Sequence, residues 1–179
     1  MKRIDDELIA QLYSEFQTPD RVKAHCRGVT DCAVKIAEAL NEHGHDLDIE
    51  LIYGAGMVHD MARIYDDHEH EGARKLEELG FPEEAYIVSK HMRHTDYHPV
   101  ESLDALDIIV ISDRLVIEGD FVGVDARYDY IEAKAEKVGM LDDKMREHLR
   151  HDRQKLKDLI TGIEQEIGCK IEDLIKGEA

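Results

Sequence analysis

Cysteine, proline, basic residues and long apolar runs are all in short supply in this chain of 179 residues. The three cysteines, Cys26, Cys32 and Cys169, are odd in number and form no Cys-x-x-Cys pair. That argues against a disulfide framework or a thiolate zinc site, and a reducing compartment is expected. No stretch approaches the ~18 apolar residues needed to cross a bilayer. The opening Met1-Lys2-Arg3-Ile4-Asp5-Asp6-Glu7 turns acidic without an apolar region of the secretory kind, so a cytoplasmic protein is expected, with no membrane partner. Against 23 Lys and Arg stand 41 Asp and Glu, a formal charge of −18. A nucleic-acid partner is not expected from such a balance, because coating a phosphate backbone requires a positive surface.

The three prolines, at 19, 82 and 99, each sit where a helix could begin, and no β-branched alternation punctuated by turns runs along the chain. With no repeat and no low-complexity linker, the expectation is an all-α single domain over 1–179 with six to eight helices. Helices are predicted over about 4–16, 19–42, 46–63, 67–79, 82–95, 102–117 and 125–138, with one or two long ones over 141–176. Thr18 reads as an N-cap with Pro19 at the first helical position, and Gly44 ends that helix. Pro99 biases His98 into a loop. The basic cluster Lys144, Arg146, Arg150, Arg153, Lys155 and Lys157 sits among acids and reads as an ion-paired, solvated helix.

Histidine is what the sequence has in plenty, with 11 residues. The stripe Val22, Cys26, Val29, Ala33, Ile36, Leu40 includes His25 by three-and-four spacing. His59 and Asp60 continue the stripe of the 46–63 segment. Asp113 stands where Leu103, Leu106, Val110 and Ile117 ask for an apolar residue. A lone buried His is commonly a satisfied core residue. An unpaired buried carboxylate costs several kcal/mol, and three helices aiming His or Asp at one core are hard to excuse singly. A divalent cation would satisfy the four together, imidazole and carboxylate suiting Zn, Mn, Fe or Ni.

Val22-Lys23-Ala24-His25-Cys26-Arg27-Gly28-Val29, then Met57-Val58-His59-Asp60-Met61-Ala62-Arg63, then Ile111-Ser112-Asp113-Arg114-Leu115 resembles the HD-domain metal-dependent phosphohydrolases. The resemblance covers about 19–118, leaving a C-terminal helical extension of about 125–176. It implies that His25, His59, Asp60 and Asp113 hold a first metal. His70-Glu71-Gly72-Ala73 is similar to the family's second-metal element. His68, roughly 200° around a helix from His70, cannot face the same ion, so His70 is the chosen ligand. Ile87-Val88-Ser89-Lys90-His91-Met92 matches the next element, with His91 as ligand and His94, one turn on, as either ligand or substrate contact. Asp60, with two oxygens, would bridge the ions. The resemblance thus implies one or two divalent ions (Fe, Mn, Ni, Zn, Co or Mg).

Departures narrow it. Ile64 and Tyr65 replace the Glu-Asp pair of stringent-response hydrolases, Arg63 stands where mononuclear nucleotidases use Glu, and no Gly-Tyr-Pro signature occurs. The remaining likeness is to compact HD proteins acting on nucleotides or dinucleoside polyphosphates. Activated water would then cleave a phosphomonoester or pyrophosphate bond of a small anionic metabolite. Arg63, one turn past the dyad, is a candidate phosphate clamp, its alternative being a surface pair with Asp66 or Asp67. Arg114 and Lys90 are further substrate-binding candidates, and Asp60 or Asp113 could orient the attacking water. The rival class is a non-catalytic metal- or nucleotide-binding HD sensor. Its support is the stripe from Leu149 to Ile175, which could also form a homodimer seam.

Overall fold

The computed structural model describes residues 2–178, so the first and last residues of the expected 1–179 unit lie outside it. Among the described residues it is all-α apart from one small hairpin. The helices are α1 (Asp6–Glu15), α2 (Asp20–Glu42), α3 (Ile49–Val58), α4 (His68–Glu78), α5 (Pro82–Lys90), α6 (Ala105–Asp113), α7 (Gly123–Lys137), α8 (Asp143–Ile167) and α9 (Ile171–Lys176). The hairpin pairs β1 (Val116–Ile117) with β2 (Asp120–Phe121). No described helix is long and apolar enough to cross a membrane.

Aspartates start four of the nine described α-helices by taking up backbone N–H groups that have no partner in the first turn. Asp5 accepts from Leu8, Asp48 from Leu51 and Asp142 from Met145. Asp104 and Asp107 form a reciprocal capping box at α6. At α2 the cap differs from expectation. Pro19 is the N-cap, and Thr18 instead donates its hydroxyl to the Met61 carbonyl at 2.7 Å, tying the start of α2 to the turn after α3.

Three helices stop short of their predicted ends. After Val58 the chain continues in i→i+3 turns (Met61 to Val58, Arg63 to Asp60, Tyr65 to Ala62). After Lys90 a similar turn follows, and after Asp113 the hairpin begins. Such tight turns roughly preserve the three-residue rhythm, so hydrophobic spacing alone does not reveal the change.

One apolar core is gathered around α2, α3, α6 and α8 by Val29, Ile36, Ile52, Ile109, Leu156 and Ile163, all fully buried. Of the stripe offered by the sequence as a dimer seam, Leu156, Ile163 and Ile167 are buried within the chain, and Leu149, Ile160, Leu174 and Ile175 pack partly buried against the same core. A second core joins α1 to α4 and α5 through Leu12, Met61, Leu76, Phe81 and Val88. Two close approaches set the helix spacing. A Cβ on Gly72 of α4 would lie 3.1 Å from the Val88 side chain of α5. A Cβ on Gly28 of α2 would lie 2.4 Å from the Gly119 carbonyl oxygen at the hairpin tip. Gly119 itself has φ +103°, beside Glu118 at φ +51°, a left-handed turn that glycine accommodates.

Candidate metal centre

His59 caps the C-terminus of α3 and His91 that of α5, and the two behave alike. The last carbonyls of a helix lack intrahelical partners. Here the His59 Nδ1–H donates to the Gly56 carbonyl and the His91 Nδ1–H to the Val88 carbonyl, each at 2.7 Å. A carbonyl only accepts, so Nδ1 carries a proton, and in the neutral imidazole that can ligate a metal each Nε2 then keeps its lone pair. Both residues are 1% exposed, and neither Nε2 has a hydrogen-bond partner. Two buried acceptors left unpaired are costly unless something electron-poor lies between them.

Asp60, directly after His59, supplies the facing carboxylate. Its Oδ1 lies 3.4 Å from His91 Nε2 and 3.2 Å from His68 Nε2. On the other side His25, from α2, places Nε2 3.0 Å from Asp113 Oδ1 at the end of α6. Two overlapping ligand groups result, His25–His59–Asp113 and His59–Asp60–His91, each with ligand atoms within 4.8 Å of one another. The His25 and His59 rings are 5.4 Å apart between centroids, His59 and His91 5.1 Å, and His68 and His91 5.9 Å. Two nitrogens, a carboxylate between them and the negative ends of α3 and α5 form a donor set suited to a divalent transition cation. The residues present therefore fit the metal that the sequence implies.

Asp113 is also gripped by cations. Arg114 bonds its Oδ2, while Arg127 of α7 donates from Nη2 to Oδ1 at 3.2 Å and from Nε to the backbone carbonyl at 3.0 Å. Burial works to raise this carboxyl, but Arg114, His25 and Arg127 outweigh it and hold it well below the ordinary carboxylate range.

The predicted site residues divide. His25, His59, Asp60, His91 and Asp113 come together. His70 does not: its side chain is 59% exposed and pairs with Asp67 at 2.6 Å. His68 occupies the position expected for it, buried at the first residue of α4. The inward face of α4 runs back by fours from Leu76 through Gly72 to His68, and His70 lies about 200° away. That phase was the available signal. Arg63 turns toward the centre, its Nη1 2.7 Å from His68 Nε2 and 3.4 Å from Asp60, and not toward Asp66 or Asp67. His94 turns away, its Nε2 bonding Asp107 at 2.7 Å. Lys90 is exposed and lines none of the clefts at the centre. Arg127 was missed, since only the folding of α7 across the centre brings it near.

The group opens into two adjoining clefts. One, of about 590 Å³, is bounded by Asp60, His91 and Asp113 and by the inner faces of α7 and α8. The other, of about 200 Å³, reaches from His25 and Asp60 toward Arg21 and Glu118.

The HD domain family model matches residues 22–116, a span that contains every ligand named above. An uncharacterized protein of Methanocaldococcus jannaschii is 35% identical over 77 residues, covering 41% of this chain and 46% of that protein, so the match spans about half of either. No solved structure matches. The chain belongs to the HD-domain family, whose members are in general metal-dependent hydrolases of the phosphohydrolase type.

Proposed function

We propose that this HD-family chain is itself a metal-dependent phosphohydrolase, cleaving a phosphomonoester or pyrophosphate bond of a small anionic metabolite, with nucleotides and dinucleoside polyphosphates as the leading class. The observation that carries the reading is the pair of buried, unpartnered Nε2 atoms of His59 and His91 converging on Asp60. His25, His59, Asp60 and Asp113 would hold one divalent ion, and Asp60, His68 and His91 a second. Bound divalent ions supply Lewis acidity and a water of lowered pKa. The protein's own part is positional. Asp60 sets Oδ1 beside His68 and His91, and the Nδ1 bonds to Gly56 and Val88 fix the orientation of His59 and His91. Arg63 lines both clefts with a guanidinium fork suited to equatorial phosphoryl oxygens as their charge spreads. Arg114 and Arg127 keep Asp113 ionised.

Metal analysis of the purified protein, with a phosphate-release screen across nucleotides, dinucleoside polyphosphates and simple esters under added Mn, Fe, Ni, Co, Zn or Mg, tests this. Bound transition metal and metal-dependent release are expected. Absence of both would leave the sensor reading in possession of the site.

A further inference from the structure

The protein is acidic throughout, yet the mouth of its small cleft is not. Four cations, Arg21, Arg63, Arg127 and Lys134, line it against the carboxylates of Asp60 and Glu118. Elsewhere some cations are matched, Arg153 bonding Asp125 and Asp129, Lys155 pairing with Asp96 and Lys157 with Asp125, while others such as Arg27, Lys90 and Lys144 stand on the open surface and line neither cleft at the centre. Arg21 and Lys134 form no ion pair among the described residues, although acids outnumber bases 41 to 23. Arg127, Tyr130 and Lys134 fall at i, i+3 and i+7 on α7, so they share one face. The Tyr130 ring lies 5.8 Å from the Arg127 guanidinium carbon and 5.1 Å from Lys134 Nζ, holding both beside it. This face lies outside residues 22–116. The larger cleft shares Arg63, Arg127 and Lys134 with the small one and adds an aromatic and aliphatic wall of Tyr97, Ile131, Met145 and Leu149, whereas Arg21 belongs to the small cleft alone.

We infer that α7, with Arg21 across from it, forms a second anion subsite beside the metal centre, so that the preferred substrate carries a further phosphate group beyond the one at the metals. The inference rests on the phosphohydrolase reading for the identity of the first group. The uncharged moiety of the substrate would lie in the larger cleft, against its aromatic and aliphatic wall. Unpaired cations at a cleft mouth also concentrate anions that the protein's net charge would otherwise repel.

Calorimetric binding of AMP, ADP and ATP to metal-loaded protein, with magnesium in excess, provides the test, alongside phosphate release from each. Affinity should rise about tenfold or more from AMP to ATP, and the combined Arg21→Ala and Lys134→Ala variant should cut that rise to about threefold or less. Exchanging the pair as Arg21→Lys and Lys134→Arg should keep most of it. Both positions are exposed, and unchanged metal content and melting temperature would confirm an intact fold. A rise of equal size in the wild type and the alanine variant, or no rise in the wild type, overturns the subsite. An intact rise that the alanine pair abolishes, with no phosphate released from any compound, would instead overturn the hydrolase reading and leave the subsite standing.

Discussion

Two His–Asp clusters adjoin just past α5, where His91 belongs to one and His94, three residues on, to the other, and they differ in what their carboxylates and imidazoles have left over. Around Asp60, His59 and His91 spend Nδ1 on helix carbonyls and keep Nε2 bare. Around Asp107, both carboxylate oxygens are taken by imidazoles. His94 Nε2 bonds Oδ1 at 2.7 Å, His98 Nδ1 bonds Oδ2 at 2.8 Å, and the Asp104 backbone N–H adds a third bond. Both carboxylates are buried, so burial does not separate them. The free lone pairs do. A satisfied carboxylate with two imidazoles is a brace for the start of α6, whereas unsatisfied imidazoles around a carboxylate mark a place for a cation.

The contrast is broken most severely at Asp60. Asp60→Ala should lower metal content by about 100-fold and turnover by about 1,000-fold, measured by elemental analysis and phosphate release. Retained metal would show that the two clusters do not differ as argued. Next comes the pair on α4. His68→Ala should reduce turnover by about 10- to 100-fold, while His70→Ala stays within about twofold. The reverse order would return His70 to the centre and put the phase of α4 in error.

Asp107→Ala should act on stability and spare metal content. Loss of a fully buried carboxylate with its two imidazoles and its capping bond should cost about 2–4 kcal/mol, or about 5–12 °C in Tm. A lost metal with an unchanged Tm would assign the brace a ligand role.

The smallest effect is one of pH. Asp107 raises the His98 pKa above its ordinary 6.5. The contact therefore stabilises fully below pH ~6.5 and fades as pH rises through the folded-state value. The wild-type Tm advantage over His98→Ala should be largest near pH 6 and shrink toward pH 8.5. For Asp107 itself burial pushes the carboxyl up, but His94, the Asp104 backbone and His98 prevail and hold it below 3.8. Its own contribution disappears only in strong acid, as pH falls through that lowered value.

The helix class and the face of each core helix are legible in the sequence because three-and-four spacing maps directly onto burial. His25, His59, Asp60 and Asp113 stood out as polar residues on those faces. What spacing hides is where a helix stops. His59 and His91 lie at such stops, and their bare Nε2 atoms depend on carbonyls freed only there. His68 was misassigned because α4 begins at that residue, so its phase had to be read backward from Leu76. The two-residue strands are too short to carry alternation. Arg127 belongs to a helix whose path over the centre is set by tertiary packing, and the match to the HD family ends before it.

The contact between Gly28 and Gly119 constrains how this chain can drift. A side chain at 28 would strike backbone, which cannot swing aside. One at 119 would meet the Ala24 carbonyl oxygen at 3.0 Å and adopt φ +103° as well. Neither exchange can come first, because neither makes room for the other. The seam sits one helical turn after His25 and a few residues after Asp113, so two positions with no chemistry of their own hold those ligands in register. A saturation-mutagenesis map should therefore show both glycines as intolerant as the metal ligands, for reasons of space alone.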